Sequence, residues 1–243
     1  MILPKFSNII LLDTIGSTNS YVKEHANELS EGTALFTREQ TAGRGRYNRR
    51  WEGCKDKSIF LSLLLKNIDN PYTGVRLTFA FSLAIGKFLE KYIDKNIIQY
   101  KWPNDILINN KKICGILCEF SGASLVIGIG VNVYNFDHSD EIDRLISYME
   151  DFSKKLPSIE IIREEVIENI NNMIDEISEL EDENLPKYWF ENSKILDSDV
   201  KITDDDGTCI VGKVKGIENN GALLLDVNGL IKKIVTGDMF YND

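Results

Sequence analysis

The chain changes character near residue 196. From about Asp199 to Tyr241, strand-forming segments of five to seven residues alternate with Asp-Asp-Gly, Asn-Asn-Gly and Asn-Gly turns. Such dipeptides reverse a chain tightly because Gly and Asn tolerate left-handed backbone angles. The pattern predicts a small five-strand barrel of about 45 residues, and so divides the chain into a larger unit, 1–195, and a C-terminal unit, 196–243. No internal repeat or low-complexity linker is present.

The larger unit alternates strands and helices. Asn8–Ile15 and Thr33–Glu39 read as strands, and Ser58–Lys66 and Leu125–Tyr134 as strongly apolar, buried ones. Ser20–Leu29 is rich in helix formers and follows Ser17-Thr18-Asn19, small polar residues suited to capping free N–H groups or facing a ligand. Tyr72–Ile93 has helical periodicity with Val75, Phe79, Leu83, Phe88 and Leu89 on the buried side, and Ser158–Leu180 begins with a serine cap. Ile97–Phe120 predicts a β-hairpin turning at Asn109-Asn110, and Leu185–Asn192 a short helix.

At 243 residues with 43% hydrophobic and 27% charged residues, the composition is that of an ordinary globular protein. No apolar run approaches a membrane span, and the N-terminus lacks a signal-peptide pattern, so the expected location is cytoplasmic. Four cysteines without a CxxC pair, and only His25 and His138, argue against a zinc site or a disulfide scaffold. Net charge is -10, with sixteen acidic and five basic residues between Asp137 and Lys187, which argues against nucleic-acid binding.

Against that acidic background, Arg38 to Lys57 carries +4. Within it, Gln40-Thr41-Ala42-Gly43-Arg44-Gly45-Arg46-Tyr47-Asn48-Arg49-Arg50-Trp51 combines four arginines with two glycines. Glycine lets backbone approach a ligand closely, and guanidinium forks match carboxylate and phosphate oxygens. Lys101-Trp102-Pro103-Asn104-Asp105 places an Asn-Asp pair at a proline-marked bend, where oxygen ligands suit Mg²⁺. Of Lys111 and Lys112, strand alternation turns one inward, able to stabilise charge on a phosphate or acyl phosphate. Gly128-Ile129-Gly130-Val131-Asn132 lacks the third glycine of a dinucleotide fingerprint, and no GxxxxGK[ST] loop occurs.

Taken in order, these runs resemble the biotin–protein ligases. That family's pattern is Ser-Thr-Asn, a Gln before Gly-Arg-Gly-Arg-x-Gly-Arg-x-Trp, Lys-Trp-Pro-Asn-Asp, a Lys-initiated segment ending in Glu, and Gly-Ile-Gly-hydrophobic-Asn. Here the matching residues are Ser17–Asn19, Gln40, Gly43–Trp51, Lys101–Asp105, Lys112–Glu119 and Gly128–Asn132, with Asn48 in place of a glycine. The resemblance implies an α+β fold: a class II synthetase-like catalytic domain with a mixed central sheet and flanking helices, plus a C-terminal SH3-like barrel. It implies a ligase that joins biotin and ATP into biotinyl-5′-AMP and passes biotin to a lysine of a biotin carboxyl carrier domain. The winged-helix domain of some members has no counterpart before Ser17, so no operator-binding role is expected, while a homodimer through the catalytic sheets is implied for some members. A lipoate or octanoyl ligase of the same fold, or a noncatalytic biotin-binding regulator, are the alternatives.

Carried over by motif position, the resemblance assigns biotin contacts to Ser17, Thr18, Asn19, Gln40, Arg44, Gly45, Arg46 and Lys112. Lys112 and Arg46 are the expected catalytic residues, and Gly43, Trp51, Asn104, Asp105 and Asn132 the expected ATP or adenylate contacts. Asp105 is the expected Mg²⁺ ligand, and the arginine loop is expected to close over the adenylate.

Overall fold

A computed structural model describes residues 3–137, 146–153, 155–204 and 207–242. His138 and the Asp205-Asp206 part of the first C-terminal turn lie outside the described residues.

The larger unit is built on a seven-strand sheet in the order β1-β2-β3-β7-β6-β5-β4. The strands are β1 (Asn8–Ile15), β2 (Thr33–Gln40), β3 (Ser58–Leu65), β4 (Ile98–Lys101), β5 (Asp105–Ile108), β6 (Lys111–Ser121) and β7 (Ser124–Asn132). The β1–β2 pair is parallel, joined through helix α1 (Thr18–Glu24), and every other pair is antiparallel. This is the mixed sheet that the family resemblance implies.

Every residue of β3 is buried, which requires cover on both faces. Ile59, Leu61, Leu63 and Leu65 face one core, with Ile127, Ile129 and Val131 of β7. That core is completed by α2 (Thr73–Leu89), α3 (Ile159–Ile177) and α4 (Leu185–Ser193). Leu64, Leu35 and Val126 face the other side, where Val22 and Ala26 of the α1 region cover only one end. The rest of that face is left for the pocket described below.

Several local expectations shift for identifiable reasons. Ser17 caps α1 directly, accepting from the Ser20 N–H, so the helix starts at Thr18 and ends at Glu24 rather than spanning Ser20–Leu29. Ser158 occupies the N-cap of α3 but makes no capping hydrogen bond. Val75 is 38% exposed, whereas Phe79, Leu83, Phe88 and Leu89 are buried as expected. The region read as one hairpin from Ile97 is a three-strand meander, because the Trp102-Pro103-Asn104 turn interrupts it between β4 and β5. Asn109 and Asn110, both with positive φ, turn β5 into β6.

The C-terminal unit contributes β8 (Asp199–Thr203), β9 (Cys209–Ile217), β10 (Leu223–Val227), β11 (Leu230–Ile234) and β12 (Asp238–Tyr241). They form an antiparallel sheet in the order β11-β10-β9-β8-β12. Five strands are expected and five are found; among the described residues the end strands β11 and β12 share no ladder, so the hydrogen-bonded sheet is open. A turn and a strand end lock it onto the larger unit: Trp102 Nε1 donates to Gly221 O at 3.0 Å, and the Tyr241 hydroxyl donates to Tyr100 O at 2.5 Å.

Gly86 of α2 is a close-approach glycine, since a Cβ there would overlap the Tyr100 hydroxyl. Alanine ordinarily stabilises a helix interior by about 1 kcal/mol over glycine. Here overpacking is larger, so Gly86→Ala is expected to lower stability by about 1–3 kcal/mol in urea unfolding with an unchanged m-value. A stabilised variant would contradict this packing.

Candidate active site

Alternation along β7 sends Leu125, Ile127, Ile129 and Val131 into the core and leaves Gly128 and Gly130 on the opposite face. Gly130 pairs with Gly115 of β6. Three side-chain-free positions therefore form a bare floor. A Cβ at Gly128 would overlap the Asn19 amide, one at Gly130 the Trp51 indole, and one at Gly115 would sit 2.9 Å from Lys112 Nζ. The motif Gly128-Ile129-Gly130 is thus a period-two device for lowering one face of a strand.

Around this floor lies a cavity of about 130 Å³. Its lining includes Ser17, Thr18, Asn19, Gln40, Arg44, Gly45, Arg46, Trp51, Asn104, Asp105 and Lys112, drawn from five separated stretches of sequence. Two sequence-predicted residues lie elsewhere. Gly43 does not line the cavity; its carbonyl accepts from the Trp51 N–H at 3.0 Å and closes the base of the loop, where a Cβ would overlap the Trp51 carbonyl. Asn132 is buried outside the lining and donates from Nδ2 to the Lys112 carbonyl at 3.3 Å, so it supports the strand that carries the lysine.

One end of the cavity is a neutral hydrogen-bonding array. Thr18 donates to Gln40 Oε1 from its N–H at 2.7 Å and from its hydroxyl at 3.0 Å. Asn19 Oδ1 accepts from Ser62 at 2.6 Å, while its Nδ2 donates to Leu117 O at 3.1 Å and to Glu119 at 2.9 Å. The amides of Asn19 and Gln40 are thereby fixed in orientation, as recognition of a compact polar ring system requires.

The other end is charged. Lys112 reaches the cavity because Ile113 is an extra residue opposite the Ile106–Leu107 step of β5. This bulge breaks the alternation and lets Lys112 share a face with Gly115, while Ile113 and Cys114 are both buried in the core and Lys111 is exposed. Lys112 Nζ lies 2.7 Å from Asp105 Oδ1, an oxygen that is buried and forms no hydrogen bond of acceptable geometry. Arg44, by contrast, borders the amide array, pairing at 2.6 Å with the Glu119 oxygen that also accepts from Asn19. Arg49 pairs with Asp238 of β12, and Arg46 stands 3.9 Å from the same carboxylate. Burial lowers the Lys101 amine below the usual lysine range, with Asp105 opposing the shift. Each carboxylate keeps cations apart that would otherwise repel one another.

Trp51 lies over the floor with its Nε1 buried and without an acceptor, and Lys112 Nζ is 5.3 Å from its ring centroid. The loop crosses left-handed space at Tyr47 (φ 55°, ψ 38°), next to Asn48, where the family pattern has glycine. For a non-glycine residue that conformation costs about 1–2 kcal/mol, and contacts must hold it.

A family profile described as the Biotin/lipoate A/B protein ligase family matches residues 11–133, and one described as the Biotin protein ligase C terminal domain matches residues 195–241. The chain belongs to the biotin/lipoate A/B protein ligase family. The bifunctional ligase/repressor BirA of Bacillus subtilis is 32% identical, across 96% of this chain and 73% of that protein. The biotin–[acetyl-CoA-carboxylase] ligase of Mycobacterium tuberculosis is 28% identical, across 93% and 86%. Among solved structures, the biotin protein ligase of Aquifex aeolicus in complex with biotin and ATP superposes with a TM-score of 0.81 at 27% identity, covering 98% of this chain and 99% of that one. No helix among the described residues is long and apolar enough to cross a membrane.

Beyond the residues expected from the sequence, the pocket uses Glu119, Asp238 and the three floor glycines. Glu119 and the glycines lie within the motifs Lys112–Glu119 and Gly128–Asn132, which are their signal in the sequence. Asp238 carried no signal, because only the tertiary fold brings β12 to the loop.

Burial opposes ionisation of Glu119, but hydrogen bonds from Asn19 and Lys23 and the charges of Arg44 and Lys23 outweigh it and hold the carboxyl below its ordinary value. A depressed folded-state pKa stabilises the protein above the ordinary carboxylate pKa and loses that contribution as pH falls through the folded value. Glu119→Gln is therefore expected to lose stability less steeply than the parent between about pH 5 and pH 3. Parallel profiles in pH-dependent urea unfolding would contradict the network.

Proposed function

We propose that this chain is an ATP-dependent biotin–protein ligase that makes biotinyl-5′-AMP and transfers the biotinyl group to a lysine of a biotin carboxyl carrier domain. Family membership supports the ligase reading. The observation that carries it is the convergence of Arg44, Arg46 and Lys112 on one glycine-floored cavity that also holds an array of oriented amides. That arrangement fits a ligand with a polar ring at one end and an acid at the other.

In the first step an oxygen of the biotin carboxylate attacks the α-phosphorus of ATP. A phosphorus–oxygen bond forms, the bond to the bridging oxygen breaks, and pyrophosphate leaves with its electron pair. Both reactants are anions, so the barrier is dominated by charge repulsion, which fixed cations lower. Ser17, Thr18, Asn19 and Gln40 hold the ring system, with Arg44 and Gly45 along the chain of the ligand. Lys112 exchanges Asp105 for the carboxylate and α-phosphate oxygens, and Arg46 steadies the phosphates. Trp51 covers the adenylate, next to Asn104. Asp105 would be the residue to hold Mg²⁺, because its Oδ1 is buried at the cavity, is ion-paired with Lys112 and becomes available when Lys112 turns to the substrates. Mg²⁺, when bound there, would supply further charge neutralisation. In the second step the carrier amine attacks the acyl carbon of the adenylate and AMP leaves. Holding amine and acyl carbon in line contributes most of that step.

The purified protein with ATP, Mg²⁺, biotin and an acceptor carrier domain is expected to add one biotinyl group to the acceptor by mass spectrometry, and lipoate in place of biotin to add none. An unmodified acceptor, or one modified by lipoate, would contradict the proposal. Lys112→Ala and Arg46→Ala are each expected to slow biotin-dependent pyrophosphate release at least ~10-fold, the effect of losing ~1.4 kcal/mol of transition-state stabilisation. Unchanged rates would remove those two residues from the mechanism.

A further inference from the structure

Tyr47 occupies a variable position of the arginine motif, and the mechanism above gives it no part. Its surroundings are nevertheless specific. Arg46 Nη2 donates to the Tyr47 hydroxyl oxygen at 2.7 Å. With that lone pair engaged, the phenolic hydrogen is free for Thr236 Oγ1, 2.6 Å away in the turn before β12. The Arg46 guanidinium also lies over the Tyr47 ring, 4.7 Å from its centroid, and Arg49 lies 5.6 Å from it. Arg46 Nη1 reaches Gly237 O at 3.4 Å and Asn104 Oδ1 at 3.3 Å, and Arg49 pairs with Asp238.

Three loop residues, Arg46, Tyr47 and Arg49, thus meet three consecutive residues of the C-terminal unit, Thr236 to Asp238, through side chains and one carbonyl. The receiving segment is itself fixed. Gly237 has φ 136°, and a Cβ there would sit 2.7 Å from Ile202 and 3.1 Å from Thr203 O, so the turn is packed hard against β8. Tyr47, by contrast, sits in left-handed backbone space that a tyrosine avoids unless its side chain is held. The hydroxyl is the atom that joins the two: it touches the catalytic-site arginine on one side and the C-terminal unit on the other.

We propose that Tyr47 and Thr236 form a clasp between the arginine loop and the C-terminal unit, which positions Arg46 for adenylate formation and holds the loop over the adenylate until an acceptor arrives. Tyr47 is a positioning residue, acting through Arg46. The inference rests on the ligase reading for its catalytic consequence but not for the clasp itself, which exists without ligand.

Tyr47→Phe removes the hydroxyl and keeps the ring; Thr236→Val removes the partner oxygen and keeps the shape. Each is expected to speed tryptic cleavage at Arg46 and Arg49 in the ligand-free protein about 3- to 10-fold, the range for losing one exposed-to-partly-buried hydrogen bond. With biotin and ATP but no acceptor, each is expected to raise the rate of adenylate escape by a similar factor. Each should also lower kcat for pyrophosphate release while leaving KM for biotin within about twofold of the parent, since the neutral ligand array is untouched. The double variant should match either single one, because both lose the same bond, and Thr236→Ser should restore parental behaviour. Unchanged cleavage in either variant, or effects that multiply in the double variant, would overturn the clasp. Faster cleavage with unchanged adenylate escape would overturn its catalytic role, whereas a parent that forms no adenylate would overturn the ligase reading and leave the cleavage result to decide the clasp.

Discussion

Cations gathered in one cavity repel, and that repulsion governs how this site is built. Two unit charges about 5 Å apart interact by about 3 kcal/mol at the effective dielectric of a protein surface, so arginines and a lysine facing a common space are stabilised by paired acids. The fold answers by interleaving acids from rigid elements. Glu119 of β6 takes Arg44, Asp105 of β5 takes Lys112, and Asp238 of β12 takes Arg49 with Arg46 nearby. The loop acquires its shape from these pairs. On the proposed function, a substrate carboxylate or phosphate competes with groups of its own kind, and binding is an exchange of anions rather than the capture of one by a bare positive site. The preorganisation that lowers a barrier between two anions is already present before they arrive.

Space for that exchange comes from the sheet. The glycines at 115, 128 and 130 remove side chains from one face of two central strands while the opposite face stays fully packed, so the pocket is cut without thinning the core. The bulge at Ile113 turns Lys112 toward the same space. Helix α1 covers only one end of that face, and its N-terminal residues supply the neutral array. The C-terminal unit is joined to this machinery through Trp102, Tyr241 and the arginine loop, so the two parts of the chain share one site.

Much of this was legible in the sequence because it depends on local pattern. Apolar runs such as Ser58–Lys66 announce buried strands, and the Asn-Gly turns announce the C-terminal sheet. Ser17 to Asn19, Gln40, Arg44, Arg46, Lys101 to Asp105 and Lys112 carry the family pattern in order. What stayed hidden depends on contacts between distant residues. The roles of Gly43 and Asn132 in supporting the loop and the lysine strand follow from one backbone hydrogen bond and one side-chain bond to a carbonyl that no spacing encodes. Asp238 and Thr236 come to the site from the far end of the chain. The sequence of Ile97–Phe120 suggests one hairpin rather than the observed meander because a proline bend between short strands leaves little periodicity on either side.

The central claim is that Lys112 changes partners. A crystal structure with biotin and a non-hydrolysable ATP analogue tests it most directly. The account predicts that the Lys112 ammonium moves from Asp105 to the oxygens of the biotin carboxylate and the α-phosphate, with both ligands in the cavity above Gly115 and Gly130. Ligand oxygens bound elsewhere, with Lys112 still on Asp105, would contradict it.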